Sequence, residues 1–158
     1  MLRNVCLGLA GCASALVMVS GAWALQSGGV EIGDLQTGSV VGQAFKELPV
    51  DLDIYATEVG ALKILYPPTA VLDLKNRPGT PVLMRVTNKS GVERGFHMTA
   101  AENQSAPTVL NVMITLKPGE TKYIGIPTSD LLYAAGVTFS YKDHLNPKEP
   151  DGKLVLIK

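Results

Sequence analysis

The sequence predicts an all-β protein, an antiparallel sandwich or barrel of seven or eight strands. Three observations lead there. Apolar residues alternate at period two in several runs after Val50, turn residues separate those runs at roughly ten-residue spacing, and no long stretch holds a helical period. Period two buries one face of a strand and leaves the other for solvent or a second layer, so several such runs call for two packed sheets or a closed one.

The first element in chain order is a leader. Val5 to Leu25 is an uncharged, mostly apolar run behind Arg3, closed by Ala22-Trp23-Ala24. That is the A-x-A pattern of a secretory signal peptide, with cleavage after Ala24. The same run would cross a hydrocarbon core of about 30 Å as a retained signal anchor. Leu9-Ala10-Gly11-Cys12 also reads like a lipobox, but it comes early, with much of the apolar run still to follow. Residues 1–24 are therefore expected to be a signal peptide or anchor, and all three readings put the folded part outside the cytoplasm. In a Gram-negative cell that compartment is the periplasm, with residues 5–25 as the membrane attachment if the run is retained.

Splitting the chain at Ala24 changes the meaning of its composition. The whole sequence has 14 basic and 14 acidic side chains; without Arg3 the remainder has 13 and 14. Lys and Arg are not clustered, so nothing favours a nucleic acid or an anionic surface as partner. Both cysteines, Cys6 and Cys12, and the only tryptophan, Trp23, belong to the leader. Residues 25–158 thus have no thiol for a disulfide, a nucleophile or a thiolate-bound metal.

Residues 25–49 read as a Gly-rich arm or linker, with Gly28, Gly29, Gly33, Gly38 and Gly42 spread through it. Ser39 is placed to cap a short helix ending at Glu47, with Val40, Val41, Ala44, Phe45 and Leu48 on its apolar face. Such an arm suits a tether above a membrane or a strap over the domain. Residues 50–158 form the domain. Val82, Met84 and Val86 alternate with Leu83, Arg85 and Thr87 before the Asn88-Lys89-Ser90-Gly91 turn. Val112, Ile114 and Leu116 alternate up to Pro118-Gly119, and Tyr123–Ile126, Val137–Lys142 and Leu154–Ile157 supply further strands.

These residues resemble a family. Leu72-Asp73-Leu74, then Gly79-Thr80-Pro81-Val82 through Asn88, then Gly95-Phe96, then Leu116-Lys117-Pro118-Gly119-Glu120-Thr121 follow the order of motifs in the cupredoxins. Gly136 to Lys142 looks like that family's penultimate strand, and Gly152-Lys153-Leu154-Val155-Leu156 like its last. The resemblance implies a Greek-key sandwich carrying a type 1 copper site, with a His from mid-chain and a Cys, a His and a Met from the last loop. By the same resemblance the four ligand positions fall at Arg94, Lys142, Leu145 and Pro150, none of which is a copper ligand. Two cations at such positions would repel a metal ion.

Other chemistry is sparse. His97 and His144 are the only imidazoles and, with Met98, the candidates for a thiolate-free copper site. On a strand, Arg94, Phe96 and Met98 share one face and His97 takes the other, whereas His144 lies in the last loop with Tyr141 and Asp143 as possible hard ligands. Ser140, Asp143 and His144 are triad residue types without the convergence or oxyanion hole a triad needs, and no phosphate loop is present. No enzymatic activity is expected. Arg94 and Lys142 would make a small positive spot at the pole where the family meets its partners. The Pro-stiffened loop from Asn146 to Gly152, with Lys148, would offer a preordered recognition segment. The expectation is an exported accessory or binding module without a type 1 copper site or other cofactor, meeting a protein partner such as a membrane or periplasmic redox complex. The alternative is a copper-binding electron-transfer protein using His144.

Overall fold

Alternation in the sequence becomes alternation in burial. In strand β7, Val82–Asn88, residues Val82, Met84, Val86 and Asn88 are buried between two layers while Arg85 and Thr87 face out. A computed structural model describes residues 30–75, 77, 79–101, 110–134 and 136–158. The expected signal peptide or anchor, and residues 25–29 of the arm, lie outside the described residues.

The first sheet is ordered β1 (Glu31–Gly33), β10 (Thr121–Ile126), β7, β4 (Leu52–Val59) and β5 (Leu62–Tyr66). The second is ordered β6 (Thr69–Asp73), β12 (Gly152–Ile157), β11 (Thr138–Lys142), β8 (Arg94–Ala100) and β9 (Val112–Leu116). After β7 the chain crosses to the second sheet for β8 and β9, then returns as β10 to pair antiparallel with β7, a Greek-key excursion. The molecule is a β-sandwich, as expected, although not wholly antiparallel. Strand β4 runs parallel to β7, and β6 parallel to β12. The reason is topological: between β4 and β7 the chain leaves the first sheet, so β7 re-enters in the direction of β4 rather than by a hairpin. The one α-helix among the described residues, α1 (Thr128–Leu132), is a single short turn.

Between the sheets, Ile54, Leu65, Met84, Phe96, Met98, Ile124, Phe139, Tyr141 and Leu154 form one continuous core. Each such side chain contributes about 1.5–3 kcal/mol by leaving water.

The arm is part of this domain from Val30 onward. Glu31–Gly33 pairs with β10, so the boundary expected at residue 49 moves to the start of the described chain. No helix runs from Ser39 to Glu47. Instead β2 (Ser39–Val40) and β3 (Gln43–Ala44) form a hairpin through Val41 and Gly42, both at positive φ, and Phe45–Glu47 makes one 3-10 turn. Positive φ at two successive residues makes a tight hairpin turn and breaks a right-handed helix. The segment is a strap. Phe45 sits so close to Gly38 and Gly125 that a Cβ on either would lie 2.0 and 2.5 Å from its ring. Val40, Phe45 and Leu48 cover Leu83, which is why this outward-facing position of β7 is buried on the side away from the main core.

Candidate functional site

Two turns and the ends of three strands meet at one pole: the β4–β5 turn, the β7–β8 turn, the start of β8, and the loop that leaves β11. Arg94 opens β8 with its side chain inward and is fully buried, as is Asp143 at the end of β11 to within 4%. Arg94 Nε donates to Asp143 Oδ2 at 2.5 Å, and Nη1 donates to the carbonyl of Thr57 in the opposite sheet at 3.2 Å.

The Asp143 carboxylate receives three further bonds. The Gly95 and Leu145 amides donate to Oδ1 at 2.8 and 3.0 Å, and Asn146 Nδ2 donates to Oδ2 at 2.8 Å. A carboxylate offers about four lone-pair sites, so this one is fully engaged. Burial pushes the Asp143 carboxyl up, but the bonds from Arg94, Gly95, Asn146 and Leu145 outweigh it and hold the group below the usual carboxylate range. Asn146 also accepts from Lys63 Nζ at 3.0 Å, while the Lys63 amide donates to Glu149 at 3.3 Å. The loop after β11 is thereby tied to β5, and Arg94 ties β8 to β4. The cluster works as a latch between the two sheets.

Two polar atoms in the latch are left without partners among the described residues: Arg94 Nη2 and His144 Nδ1, both buried. The His144 ring lies on the β8 backbone at Gly95, where a Cβ would come within 2.6 Å of Nδ1. Beside it, a second polar knot is fully satisfied. Asn88 Nδ2 donates to the carbonyls of Val92 and Leu116 at 2.7 and 3.0 Å, and its Oδ1 accepts from the Ser90 amide and hydroxyl.

The structure sorts the sequence candidates. Arg94 is at the pole but buried and neutralised, so it is no surface cation, and the positive spot of Arg94 with Lys142 does not form. Lys142 points away from the core: β11 alternates with Phe139 and Tyr141 inward and Thr138, Ser140 and Lys142 outward. The inward position facing Arg94 is Asp143. Period two from Phe139 through Tyr141 reaches Asp143, one residue beyond the Lys142 position that the family resemblance picks out. Leu145 is exposed in the loop, as are Lys148 and Pro150.

The thiolate-free metal candidates do not converge. His97 faces out and its Nε2 lies 2.8 Å from Asn111 Oδ1, whereas Met98 is in the core. Tyr141 is pushed up to about 12 by burial, so its hydroxyl stays protonated, and it donates to the Pro67 carbonyl. No group of three or more His, Cys, Asp or Glu side chains suited to a metal occurs among the described residues. Sequence reasoning misses Thr57 and Lys63 altogether, because their partners, Arg94, Asn146 and Glu149, lie far along the chain, and it reads Asn88 only as a turn residue.

Around the latch several apolar side chains are exposed. Val59 and Leu62, cross-strand partners at the β4–β5 turn, are 59% and 57% exposed, with Val92 and Leu145 in the neighbouring loops also open to solvent. Below them the outward ladder of this hairpin continues through Thr57 and Ile64 to Tyr55 and Tyr66.

No protein-family model matches the chain, and no curated protein sequence matches it. Solved structures similar to it include auracyanin B, at 13% identity and a TM-score of 0.48 over 70% of this chain and 92% of that one. An oxidized amicyanin mutant is similar at 14% identity and 0.42, over 66% and 80%. A purple cupredoxin from Nitrosopumilus maritimus is similar at 15% and 0.42, over 67% and 99%. The sandwich itself rests on the strand order and register described above.

Proposed function

We propose that the chain is an exported β-sandwich binding module that has no type 1 copper centre and docks a protein partner, a component of a membrane or periplasmic redox complex, through the pole around Leu62 and Leu145. The observation that carries this reading is the Arg94–Asp143 latch. In the place where the family resemblance puts a metal, Arg94 and Asp143 of the second sheet form a buried ion pair, Arg94 also reaches the Thr57 carbonyl of the first sheet, and every acceptor site of the carboxylate is in use. Residues 25–158 also have no thiol. Copper does not fit these residues, because a cation beside Arg94 would meet a guanidinium and find no free carboxylate lone pair.

Docking is supported by the exposed apolar side chains around the latch. Contiguous apolar residues on an otherwise polar surface mark interaction sites, and a rigid backing reduces the ordering cost on binding. The charges originally expected to recognise the partner are replaced in this reading by Val59, Leu62, Val92 and Leu145. Lys148 remains at the rim.

Co-purification from native membranes tests the proposal. Wild type is expected to bring down a stoichiometric partner, and Leu62→Asp with Leu145→Asp to lose it while thermal stability changes by no more than about 0.5 kcal/mol, as for exposed positions. A freely soluble monomer without a partner overturns the docking claim. Metal analysis of the same preparation addresses the latch: stoichiometric copper that disappears in His144→Ala would establish the copper-binding alternative instead.

A further inference from the structure

The outward face of the second sheet carries a feature that the latch and its apolar rim do not use. A cavity of about 270 Å³ lies there, lined by Thr99 and Ala100 of β8, Ala101, Ser140 and Lys142 of β11, and Asp151 and Lys153 at the start of β12. Strand register explains why these side chains converge. Ser140 is directly opposite Thr99 on one side and Lys153 on the other, and Lys142 follows two residues on along the same face. Directly opposed residues have Cβ atoms about 5 Å apart and diagonal neighbours about 7–8 Å, within the reach of two lysine side chains. The small side chains of Ala100 and Ala101 leave the space open.

Charge then selects the ligand. The ammonium groups of Lys142 and Lys153 have no ion-pair or hydrogen-bond partner among the described residues. Among the described residues the one carboxylate lining the cavity, Asp151, accepts from Ser140 Oγ at 3.3 Å. Nearby His97 is occupied by Asn111. Two ammonium groups face one carboxylate over a floor of two hydroxyls. Backbone donors of β11 are spent in its ladders to β8 and β12, which leaves the work to side chains.

We infer that this groove binds a phosphate-type oxyanion, with Lys142 and Lys153 supplying charge-assisted hydrogen bonds and Thr99 a neutral one. The volume falls just short of the roughly 300 Å³ at which drug-sized sites begin, which suits one small group rather than an extended molecule. Such a group would come from free inorganic phosphate or from a phospholipid headgroup.

The test is titration of the ¹⁵N-labelled full chain with inorganic phosphate at constant ionic strength, read by amide shifts. Saturable shifts confined to residues around Thr99, Ser140, Lys142 and Lys153 are expected. Lys142→Met with Lys153→Met should weaken binding by about 100-fold, roughly tenfold for each charge-assisted bond lost, whereas the double Arg variant should retain it. Lys148→Met, on the polar loop, should have no effect. Sedimentation with phosphatidylglycerol vesicles against phosphatidylcholine vesicles separates the two sources: lysine-dependent pelleting with the former alone identifies a headgroup, and shifts with phosphate and no pelleting identify the free anion. Shifts that do not saturate, or that persist unchanged in the double Met variant, would overturn the site.

Discussion

Asn88 and Asp143 are buried polar side chains at the same pole, and they are accommodated in different ways. Asn88 is neutral, and each of its amide atoms has two partners, three of the four within its own turn and one, the Leu116 carbonyl, in the opposite sheet. Asp143 is charged. Its stability in the interior depends on Arg94, 49 residues away, and among the described residues Arg94 Nη2 and His144 Nδ1 still lack partners. A neutral knot asks only for hydrogen bonds. A buried ion pair must also offset the desolvation of two charges, and removing one partner strands the other.

That contrast can be broken most severely at the charged site. Asp143→Ala should cost about 3–5 kcal/mol in chemical denaturation, because it leaves the Arg94 guanidinium buried without a counter-charge. The same group gives the fold an acid sensitivity with a definite sign. The folded Asp143 carboxyl lies below its ordinary value, so the unfolded chain takes up its proton first. The stabilisation is fully present above the usual carboxylate range and is lost as pH falls through that range to the lower folded value. Asp143→Asn should flatten this part of the stability–pH profile; an unchanged slope would assign the sensitivity elsewhere.

Asn88→Ala should cost less, about 1–3 kcal/mol, since it leaves neutral groups of Ser90, Val92 and Leu116 without partners. It should not alter the acid slope. The smallest net effect is expected from replacing the ion pair as a unit. Arg94→Met with Asp143→Leu should leave stability within about 1 kcal/mol of wild type or raise it, because hydrophobic pairs of similar volume often match buried ion pairs. A double variant as unstable as Asp143→Ala would mean that the bonds to Thr57, Gly95, Leu145 and Asn146 matter more than the charges.

The strap gives a second view of what was readable in the chain. The alternation in β7 correctly set Val82, Met84 and Val86 against Leu83, Arg85 and Thr87, but it left Leu83 as an unexplained apolar residue on an outer face. Phe45, Val40 and Leu48 explain it, and they come from a segment whose glycines suggested a linker. One of those glycines, Gly38, and Gly125 on β10 lie against the Phe45 ring, which occupies the space a Cβ would need at either. Glycine marks close approach as well as flexibility, and a linear pattern does not distinguish the two.

What the sequence determined by itself is local or compositional. Period-two burial set the strands and their faces, turn residues set their ends, and the position of both cysteines before residue 25 removed thiolate chemistry from the domain. What only the tertiary structure decided is which distant groups meet: β4 beside β7 in parallel, the strap over Leu83, and Asp143 rather than Lys142 opposite Arg94. The physical reason is range. Side-chain direction along a strand follows from covalent geometry a few residues at a time, whereas the partner of a buried charge is chosen by the pairing register of strands that lie tens of residues apart in the chain.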